Sequence, residues 1–502
     1  MSAAAQTCAP RADGYARREP EATLLHRLVQ EHWPAFLERA EEQGGLPRFV
    51  VRDFEEYLRC GVLEHGLVQL ACARCGHTMV VGFSCKRRGF CPSCLGRRMA
   101  DLAGHLVDEV LPEVPVRQWV CSLPWAMRSM LAFDRALCAD VLAVFIGALT
   151  RSLRWRAKRV LGLHSVEDAL VGALTVIQRS DGALRVNPHF HTLALDGVYV
   201  SDSQAELVFH PLPAPSAEEV AEIAARTHAG IMRVLERHGR SLEGADDTLD
   251  ELAAEQPVLA SCYAASAADV QLLGAAPGQK TQKLVQPVRR VPSPSDPLAE
   301  VGGVNVHAKV AFDGRDRPRL ERLCRYLARP PLAQERLSLH PDGRVRLSLK
   351  APWKDGTHAV LLDPLDFIAR LAALVPPPRF HMIRYHGVLA AHAAVRAEVV
   401  PGREPPKPPP QLPLFEPSDA PLEPPPPSRH PWSWLLRRVF AVEVSVCPLE
   451  GCSGRMRIVE IAVKPDEVAR VLEEQPLERR APRARAPPPP KASTAQLRLA
   501  FS

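Results

Sequence analysis

The chain has few aromatic residues and no long apolar segment. Phe, Trp and Tyr make up 6% of its 502 residues. The longest uninterrupted apolar run, Val141 to Thr150, has about half of the roughly 20 residues that a helix needs to cross a bilayer. The first twenty residues contain no apolar core of the kind that a secretory signal requires. The sequence therefore predicts a cytoplasmic protein without membrane segments.

Neither sign of charge is in large excess. Lys and Arg number 63 against 57 Asp and Glu, a net charge of +6, which permits an acidic partner without requiring one. A hydrophobic fraction of 46% and a charged fraction of 24% are typical of globular proteins, and the length predicts two or three domains. The 13 cysteines are unevenly spread, which favours metal binding or reactive thiols over a disulfide scaffold.

Composition and hydrophobic periodicity divide the chain into six parts. Proline is frequent, at 49 residues in all, and 14 of these lie within the 31 residues from 401 to 431, which predicts an extended spacer. The predicted parts are a disordered tail (1–21), a helical and cysteine-rich domain (22–110), a larger domain (115–400), the proline-rich linker (401–431), a small C-terminal segment (432–475) and a second disordered tail (476–502).

The larger domain is predicted to be an α+β unit. The predicted strands are Arg117–Leu123, Gly172–Gln178, His189–Leu195, Val304–Phe312 and Arg344–Leu349, and the predicted helices are 126–160, 216–240 and 318–329. The turn signals Asp196-Gly197 and Asp355-Gly356 are typical of antiparallel hairpins. We therefore expect an antiparallel sheet flanked by helices.

Two Cys-x-x-Cys pairs predict a metal site. Cys72 and Cys75 are separated by 15 residues from Cys91 and Cys94, a spacing typical of a four-thiolate structural zinc site. Soft thiolate ligands favour zinc over magnesium or calcium. Two alternatives stay open: buried unligated cysteines, and redox or iron–sulfur chemistry, since Cys60 and Cys85 are left over.

Basic residues surround this cluster and recur later in the chain. No acidic residue lies between Cys85 and Ala100, and a zinc-stabilised basic surface is typical of nucleic-acid binding. A second patch places cations around a tryptophan that can stack on a base, and a third alternates along a predicted strand. The candidate DNA-binding residues are Lys86, Arg87, Arg88, Arg97, Arg98, Arg154, Trp155, Arg156, Arg344 and Arg346. The alternative is a solvated charged surface without a partner.

Two histidines and a tyrosine are candidates for chemistry. His189 and His191 lie two residues apart in a predicted strand, so their imidazoles share one face and can supply half of a divalent-metal shell. Tyr326 lies at the edge of the apolar stripe of its helix, with Arg322 and Arg329 beside it. A phenol between guanidiniums suits attack on a phosphodiester. The alternatives are ordinary strand histidines and a tyrosine that packs at the core boundary.

Together these motifs resemble the HUH-type rolling-circle transposases of bacterial insertion sequences (the insertion sequence ninety-one family). The order that carries the resemblance is a cysteine-rich domain, a strand ending at Ser122-Leu-Pro, His189-Phe-His191, and Cys324-Arg-Tyr-Leu-Ala-Arg-Pro-Pro. The similarity covers roughly 22–400 and a piece near 432–465. It implies an N-terminal transposase zinc-binding domain that binds DNA, followed by an HUH endonuclease-like antiparallel sheet flanked by helices.

The resemblance also implies an activity. A transposase of this kind nicks single-stranded DNA at insertion-sequence ends and at the target, and rejoins the strands. Tyr326 would form a 5′-phosphotyrosine and leave a free 3′-hydroxyl, assisted by Arg322 and Arg329. His189 and His191 would bind a catalytic Mg²⁺ or Mn²⁺, and His307 is the candidate third ligand, with Gln334 as another. The expected location is the cytoplasm, in association with the nucleoid.

The sequence departs from the family at two points. Some members carry two tyrosines four residues apart, whereas Arg322 and Pro330 occupy those positions around Tyr326, so the tyrosine must be reused or a second copy of the chain must take part. The family often has a Cys-x-x-Cys pair near the C-terminus, whereas Cys447 and Cys452 enclose four residues, and two thiols alone predict no closed zinc site. A non-catalytic zinc-dependent DNA-binding regulator and a metal phosphoesterase remain alternative functions.

Overall fold

The fold consists of helices and antiparallel sheets, in a computed structural model that describes residues 18–242, 249–274, 276–287, 298–401, 446–449 and 451–474. Of the predicted tails and linker, only residues 18–21 and Pro401 are described. The strands are β1 (Leu67–Cys72), β2 (Thr78–Gly82), β3 (Val116–Ser122), β4 (Gly172–Ser180), β5 (Val186–Leu195), β6 (Gly197–Ser201), β7 (Leu207–Pro211), β8 (Gln282–Val285), β9 (Leu298–Val301), β10 (Val304–His307), β11 (Ala311–Phe312), β12 (Leu337–Leu339), β13 (Val345–Ser348), β14 (Thr357–Leu362), β15 (Ile383–Gly387) and β16 (Met456–Ala462).

The helices cover both faces of the central sheet and the N-terminal region. They are α1 (Leu24–Glu41), α2 (Arg48–Leu58), α3 (Pro92–His105), α4 (Arg128–Phe133), α5 (Arg135–Leu161), α6 (Ala217–Arg237), α7 (Leu249–Glu255), α8 (Pro257–Ala268), α9 (Arg317–Leu327), α10 (Pro364–Leu374), α11 (Arg396–Val399) and α12 (Pro465–Glu474). Short 3-10 turns lie at Pro20–Ala22, Leu63–His65, Trp125–Met127 and Gln334–Arg336, and a π-helical turn at Leu106–Val110. The predicted α+β class is confirmed.

The central sheet has the strand order β15-β4-β5-β3-β10-β9, and β11 also pairs with β3. All of its pairs are antiparallel. Alternation along the strands gives the sheet two apolar faces. One face packs against α5 and α6 around Phe145 and Phe190, and the other packs against α9 through Leu193, Leu320 and Cys324. Because both faces are covered, the central strand β5 is buried along most of its length.

The N-terminal helices share a core with the later part of the chain. Phe36 and Phe54 of α1 and α2 belong to the same buried cluster as Val360 of β14 and Phe367 of α10. A separate four-stranded sheet, in the order β12-β13-β14-β8, contributes to that cluster. The segments predicted as two domains, 22–110 and 115–400, are therefore joined by a continuous apolar interior.

The C-terminal segment returns to the N-terminal region. Strand β16 pairs antiparallel with β1, from Leu67 opposite Ala462 to Cys72 opposite Met456. Together with β2 the two strands form a three-stranded sheet. The sequence predicted a small separate piece at 432–475, whereas the described part of it completes a sheet begun almost 400 residues earlier.

One of the two predicted hairpin turns is confirmed and the other is wrong. Asp355-Gly356 lies between β13 and β14, which pair with each other. Asp196-Gly197 joins β5 to β6, but β6 pairs with β7. The physical reason lies in the Asp196 carboxylate, which accepts hydrogen bonds from Arg117 Nε and Nη2 at 2.9 and 2.7 Å. This buried ion pair holds the end of β5 against β3 and directs the chain out of the sheet.

Helix α5 is long and apolar enough to cross a membrane by length and composition, but such a test is also passed by core helices. Its side chains Leu142, Phe145 and Leu149 are buried between the sheet and α6. The predicted helix 126–160 is interrupted at Asp134, whose carboxylate caps α5 by accepting from the amides of Ala136 and Leu137. Packing in the core therefore accounts for the apolar character of α5.

Candidate functional site

The two histidines of the His-x-His motif lie side by side at the middle of the central sheet. His189 and His191 are on β5, with ring centroids 4.9 Å apart. In the antiparallel register Ser122 and Gln178 lie opposite His189 on the two neighbouring strands. Since residues two apart on a strand share a face, both imidazoles point to the side of the sheet that α9 covers. The predicted common face is confirmed.

Burial keeps both imidazoles neutral. Burial lowers the pKa of His189, against a smaller opposite effect of its hydrogen bond to the Asn187 carbonyl. The pKa of His191 lies well below its ordinary value because of burial, with smaller effects from His189 and Arg329. Only 5% of the His191 surface is exposed. Neutral imidazole is the form that binds divalent metals.

Each ring is oriented through its Nδ1 atom. His189 Nδ1 donates to the Asn187 carbonyl at 2.7 Å, which leaves Nε2 as the ligand atom. The Gln118 Nε2 atom lies 3.0 Å from His191 Nδ1. Because the oxygen and nitrogen of a side-chain amide can be exchanged by a 180° rotation, the Gln118 oxygen can instead accept a hydrogen bond from an Nδ1–H of His191. Metal-binding histidines commonly donate their second nitrogen in this way. The two rings therefore fit a metal that binds at Nε2, and Gln118 is a site residue that the sequence did not reveal.

Tyr326 lies next to the histidine pair. Its ring meets the His191 ring edge-on, with centroids 6.2 Å apart and an interplanar angle of 88°. Leu320, Cys324 and Leu327 bury the apolar stripe of α9 against the sheet, as the helical periodicity predicted. The family resemblance implied that the phenol and the imidazoles act at one site, and the structure places their rings together.

A hydrogen bond fixes the end of the tyrosine helix to the strand beside the histidines. Gln178 Nε2 donates to the Leu327 carbonyl at 2.8 Å. Gln178 is also the register partner of His189 on β4. Because the last carbonyls of a helix have no partner within it, this contact satisfies one of them and sets the distance between Tyr326 and β5.

Cations flank the tyrosine ring. The Arg329 guanidinium lies 4.4 Å from the ring centroid and the Lys350 ammonium 5.9 Å from it. Arg322, which was predicted to act with Arg329, is exposed on α9. Partial burial, together with the smaller effect of the nearby charges of Arg329 and Arg336, lowers the pKa of Lys350 to about 8. Of the two predicted arginines, the structure places Arg329 against the phenol ring.

Lys350 was missed by the sequence reasoning, although a signal for it was present. Arg344, Arg346 and Ser348 alternate with the buried Val345 and Leu347 along β13. Continuing that alternation by two residues places Lys350 on the same polar face. Arg344, Arg346 and Lys350 thus form a basic strip along β13, and its last member, Lys350, lies beside the Tyr326 ring.

The structure does not bring His307 to the histidine pair. Within the described residues, only the two cysteine clusters contain three or more His, Cys, Asp or Glu ligand atoms within 4.8 Å of one another. His307 lies opposite Val120 on β3, which in turn lies opposite His191. Two strand spacings of ~4.8 Å therefore separate the backbones of His307 and His191. The ligand atoms of His307 and the histidine pair therefore form no such group in the described residues, and the role of His307 as a third ligand stays a prediction.

Four cysteines of the N-terminal region form a compact cluster, here termed cluster A. It consists of Cys60, Cys85, Cys91 and Cys94. The Sγ–Sγ distances are 3.7 Å for Cys60–Cys94, 3.4 Å for Cys85–Cys94 and 3.7 Å for Cys60–Cys91. Four thiolates about 2.3 Å from a tetrahedral zinc lie about 3.8 Å from one another. Cluster A thus has the spacing of a closed zinc site, next to the buried Phe90.

The other predicted zinc ligands belong to a second cluster, here termed cluster B. Cys72 and Cys75 lie with Cys447 and Cys452. The single site predicted from Cys72, Cys75, Cys91 and Cys94 is therefore corrected to two sites. The physical reason is that Cys72 and Cys75 lie at the β1–β2 turn, whereas Cys91 directly precedes the first residue of α3. The Cys447 and Cys452 pair, which predicted no closed site by itself, completes cluster B.

The basic residues near cluster A have mixed roles. Arg87 forms an ion pair with Glu56 at 3.1 Å. Arg88 donates to the Phe380 carbonyl at 3.0 Å, and Arg98 donates to the Lys86 carbonyl at 2.7 Å. The exposed residues of this patch include Lys86 and Arg97. Three of the five predicted DNA contacts therefore have structural partners, which leaves Lys86 and Arg97 as the stronger candidates.

The patch around Trp155 divides in the same way. Arg156 is 4% exposed, forms an ion pair with Glu219 at 3.2 Å and donates to the Pro213 carbonyl. Its assignment as a DNA contact is corrected, because a buried and paired guanidinium offers nothing to a phosphate. Arg154 pairs with Glu167 at 2.7 Å. Trp155 is 46% exposed.

Trp155 lies on the wall of a groove of about 680 Å³ between α5 and the edge strand β15. The polar and aromatic lining residues are Thr150, Arg151, Arg154, Trp155, Glu167, Arg384, Tyr385 and His386. Arg151 lies 5.9 Å from the Trp155 ring centroid. On the β13 strip, Arg344 is held by Asp342 at 2.8 Å and Arg346 is half-buried.

Comparison with known proteins gives three findings. Residues 28–123 match a family model described as "Transposase zinc-binding domain", and residues 172–396 match one described as "Putative transposase". The transposase for insertion sequence element IS801 of Pseudomonas savastanoi pv. phaseolicola is 23% identical over 357 residues, which cover 70% of this chain and 72% of that protein. No solved structure matches the chain significantly.

Proposed function

Because the chain matches a zinc-binding domain of transposases and a transposase family model and is similar to an insertion-sequence transposase, we propose that it is a transposase that nicks and rejoins single-stranded DNA at transposon ends. A transposase is an enzyme that acts on DNA, and the cytoplasm is where bacterial DNA lies. The observation that supports nicking through a tyrosine is the position of Tyr326, whose ring centroid lies 6.2 Å from that of His191. A nucleophile, two neutral imidazoles and two cations thus share one site.

The proposed reaction is a transesterification at phosphorus. The Tyr326 phenol oxygen loses its proton to solvent and attacks the scissile phosphate. A phosphorus–oxygen bond to tyrosine forms as the bond to the 3′-oxygen breaks. The leaving 3′-oxygen takes a proton from solvent, so the products are a free 3′-hydroxyl and a 5′-phosphotyrosine. Arg329 and Lys350 hold the phosphate and favour the phenolate through their charge. Because the covalent ester conserves the phosphodiester, a 3′-hydroxyl can reverse the step without ATP.

His189 and His191 would hold the divalent ion through their Nε2 atoms. When bound, Mg²⁺ or Mn²⁺ supplies Lewis-acid polarisation of the phosphate. The chain's own contribution is orientation: Asn187 and Gln118 fix the two rings through Nδ1. Magnesium prefers oxygen ligands, so the substrate phosphate and water are suited to the remaining positions.

The site is tested with a single-stranded oligonucleotide from a transposon end and Mn²⁺. We expect a protein–DNA adduct that resists SDS. Binding without cleavage would favour a zinc-dependent DNA-binding regulator instead. Cleavage without an adduct would favour a phosphoesterase that activates water. Both outcomes contradict the proposed reaction.

We propose that the groove beside Trp155, on the α5 side of the sheet and therefore on the face opposite Tyr326, is a path for a part of the single strand away from the point of cleavage. A base can stack on the exposed indole while Arg151 contacts a phosphate. We expect Trp155→Ala to weaken oligonucleotide binding by about 1–3 kcal/mol, and Arg151→Ala to reduce the salt dependence of binding by about one phosphate contact. Fluorescence anisotropy at several salt concentrations measures both effects.

The matched control for the groove is Trp125→Ala. Trp125 is 56% exposed but is not among the residues that line the groove. Its replacement should leave the affinity unchanged. A salt-independent affinity, or equal losses at Trp155 and Trp125, would contradict the proposed path.

The pKa of Lys350 predicts a pH dependence of cleavage. With a pKa lowered to about 8, the ammonium is charged at neutral pH and loses its charge as the pH rises through 8. The cleavage rate at saturating DNA should therefore fall on the alkaline side, since the cation that favours the phenolate is lost. Lys350→Arg should move this decline to higher pH, and Lys350→Ala should lower the rate at neutral pH. An alkaline limb that stays in place in Lys350→Arg would contradict the role.

A further inference from the structure

We propose that cluster B, formed by Cys72, Cys75, Cys447 and Cys452, binds a second structural zinc that fastens the C-terminal segment to the N-terminal domain. The sulfur of Cys72 lies 3.7 Å from that of Cys452, and the sulfur of Cys75 lies 3.6 Å from that of Cys447. These distances match the spacing of about 3.8 Å in a tetrahedral four-thiolate zinc site. The proposal does not depend on the catalytic role of Tyr326.

The backbone around cluster B is shaped for a bound metal. The amide of Arg74 donates to Cys72 Sγ at 3.4 Å, as amides do toward thiolates in a zinc knuckle. On the other side, the Cys447 amide donates to the Gly454 carbonyl at 2.8 Å. A Cβ added to Gly454 would lie 2.4 Å from Cys72 Sγ. Only glycine at this position lets the two knuckles approach each other so closely.

The chemistry of the ligand set identifies the ion. All four candidate ligand atoms are cysteine sulfurs, and no histidine or carboxylate is part of the group. Soft thiolates in a tetrahedral arrangement select zinc, and a closed four-cysteine set leaves no open position for catalysis. The four cysteines are free thiols in the structure, so their proximity does not come from disulfides.

The position of cluster B explains why a metal is needed there. The chain between Cys75 and Cys447 includes the larger domain (115–400) and the proline-rich linker (401–431). The apolar core that joins the two ends is small, with the buried side chains Leu63, Leu67, Val80, Ala462, Val468 and Val471. Small cores of this kind commonly require a metal or a disulfide for stability. Strand pairing between β1 and β16 and the proposed metal would together hold the C-terminal segment on the N-terminal region.

Cluster B also extends beyond the matched zinc-binding domain. Cluster A lies entirely within residues 28–123, whereas Cys447 and Cys452 lie outside both matched regions. The zinc-binding domain as matched therefore supplies half of the ligands of cluster B, and the C-terminal segment supplies the rest.

The first test is zinc stoichiometry in the full-length chain. We expect two equivalents of zinc in the purified protein and one in Cys447→Ser. Cys452→His, which preserves a zinc ligand, should retain two. Cys8→Ser, at a position outside the described residues, controls for the loss of a thiol and should also retain two. One equivalent in the unaltered protein, or two in Cys447→Ser, would overturn the proposal.

The second test measures the fastening itself. A protease site inserted within residues 402–445 of the full-length chain allows the C-terminal segment to be cut from the rest. We expect the fragment to co-elute with the remainder in size-exclusion chromatography and to separate when EDTA is added. In Cys447→Ser it should separate without EDTA. Separation from the unaltered, zinc-loaded protein would contradict the fastening role, as would co-elution of the Cys447→Ser fragment.

Discussion

Tyr326→Phe should abolish the covalent protein–DNA adduct while leaving DNA binding intact. Phenylalanine keeps the edge-on contact with His191 and the contact with the Arg329 guanidinium, so the apolar packing of α9 is retained. Only the phenol oxygen is lost, and with it the nucleophile. Removing a nucleophile typically costs at least ~10³-fold in the rate of the chemical step.

The measurement is SDS gel electrophoresis of a labelled oligonucleotide after incubation with Mn²⁺. Tyr199→Phe is the matched control, because Tyr199 packs against Phe209 on the β6–β7 pair and takes no part in the site. This control should form the adduct at the normal rate. An adduct that persists in Tyr326→Phe would show that another residue is the nucleophile.

Cys91→Ser should remove the zinc of cluster A and unfold the N-terminal region. Cys91 is fully buried, and its sulfur lies 3.7 Å from that of Cys60. Structural zinc contributes about 10–16 kcal/mol in zinc-finger peptides, which is comparable to the total stability of about 5–15 kcal/mol of a typical domain. Even a partial loss of this contribution is enough to destabilise α2 and α3, which the cluster joins.

The readouts are zinc content, thermal unfolding and limited proteolysis of residues 28–123. Cys262→Ala is the control, since Cys262 is buried in α8 and belongs to neither cluster. It should lose only packing energy, about 1 kcal/mol, and keep its zinc. Unchanged zinc content in Cys91→Ser would contradict the assignment of cluster A.

Local spacing predicted how the candidate catalytic residues lie on their own strand and helix. Residues two apart on a strand lie on the same face, so the sequence alone predicts that the imidazoles of His189 and His191 lie side by side. The apolar stripe of α9 placed Tyr326 at its edge in the same way. Whether the strand and the helix face each other depends on long-range packing, which the spacing within either element does not determine.

Spacing failed where contacts depend on distant parts of the chain. Gln118 reaches His191 because β3 and β5 pair in a particular register, and that register is not encoded in either strand alone. The sequence around Arg156 predicts a phosphate contact, whereas in the fold its guanidinium forms an ion pair with Glu219. Lys350 lies two residues beyond the end of β13. The distance between its ammonium and the Tyr326 ring depends on where the four-stranded sheet packs.

The sequence by itself determined which residue types were available. It supplies thiols that can bind zinc, imidazoles that can bind a divalent ion, and a phenol that can attack phosphorus. Only the tertiary structure determined which cysteines belong to cluster A and which to cluster B. Cys72 and Cys75 are closer in sequence to Cys91 than to Cys447, yet they lie with Cys447 and Cys452. The reason is that a tetrahedral site requires four sulfurs at fixed distances, and strand pairing between β1 and β16 meets that requirement at the β1–β2 turn.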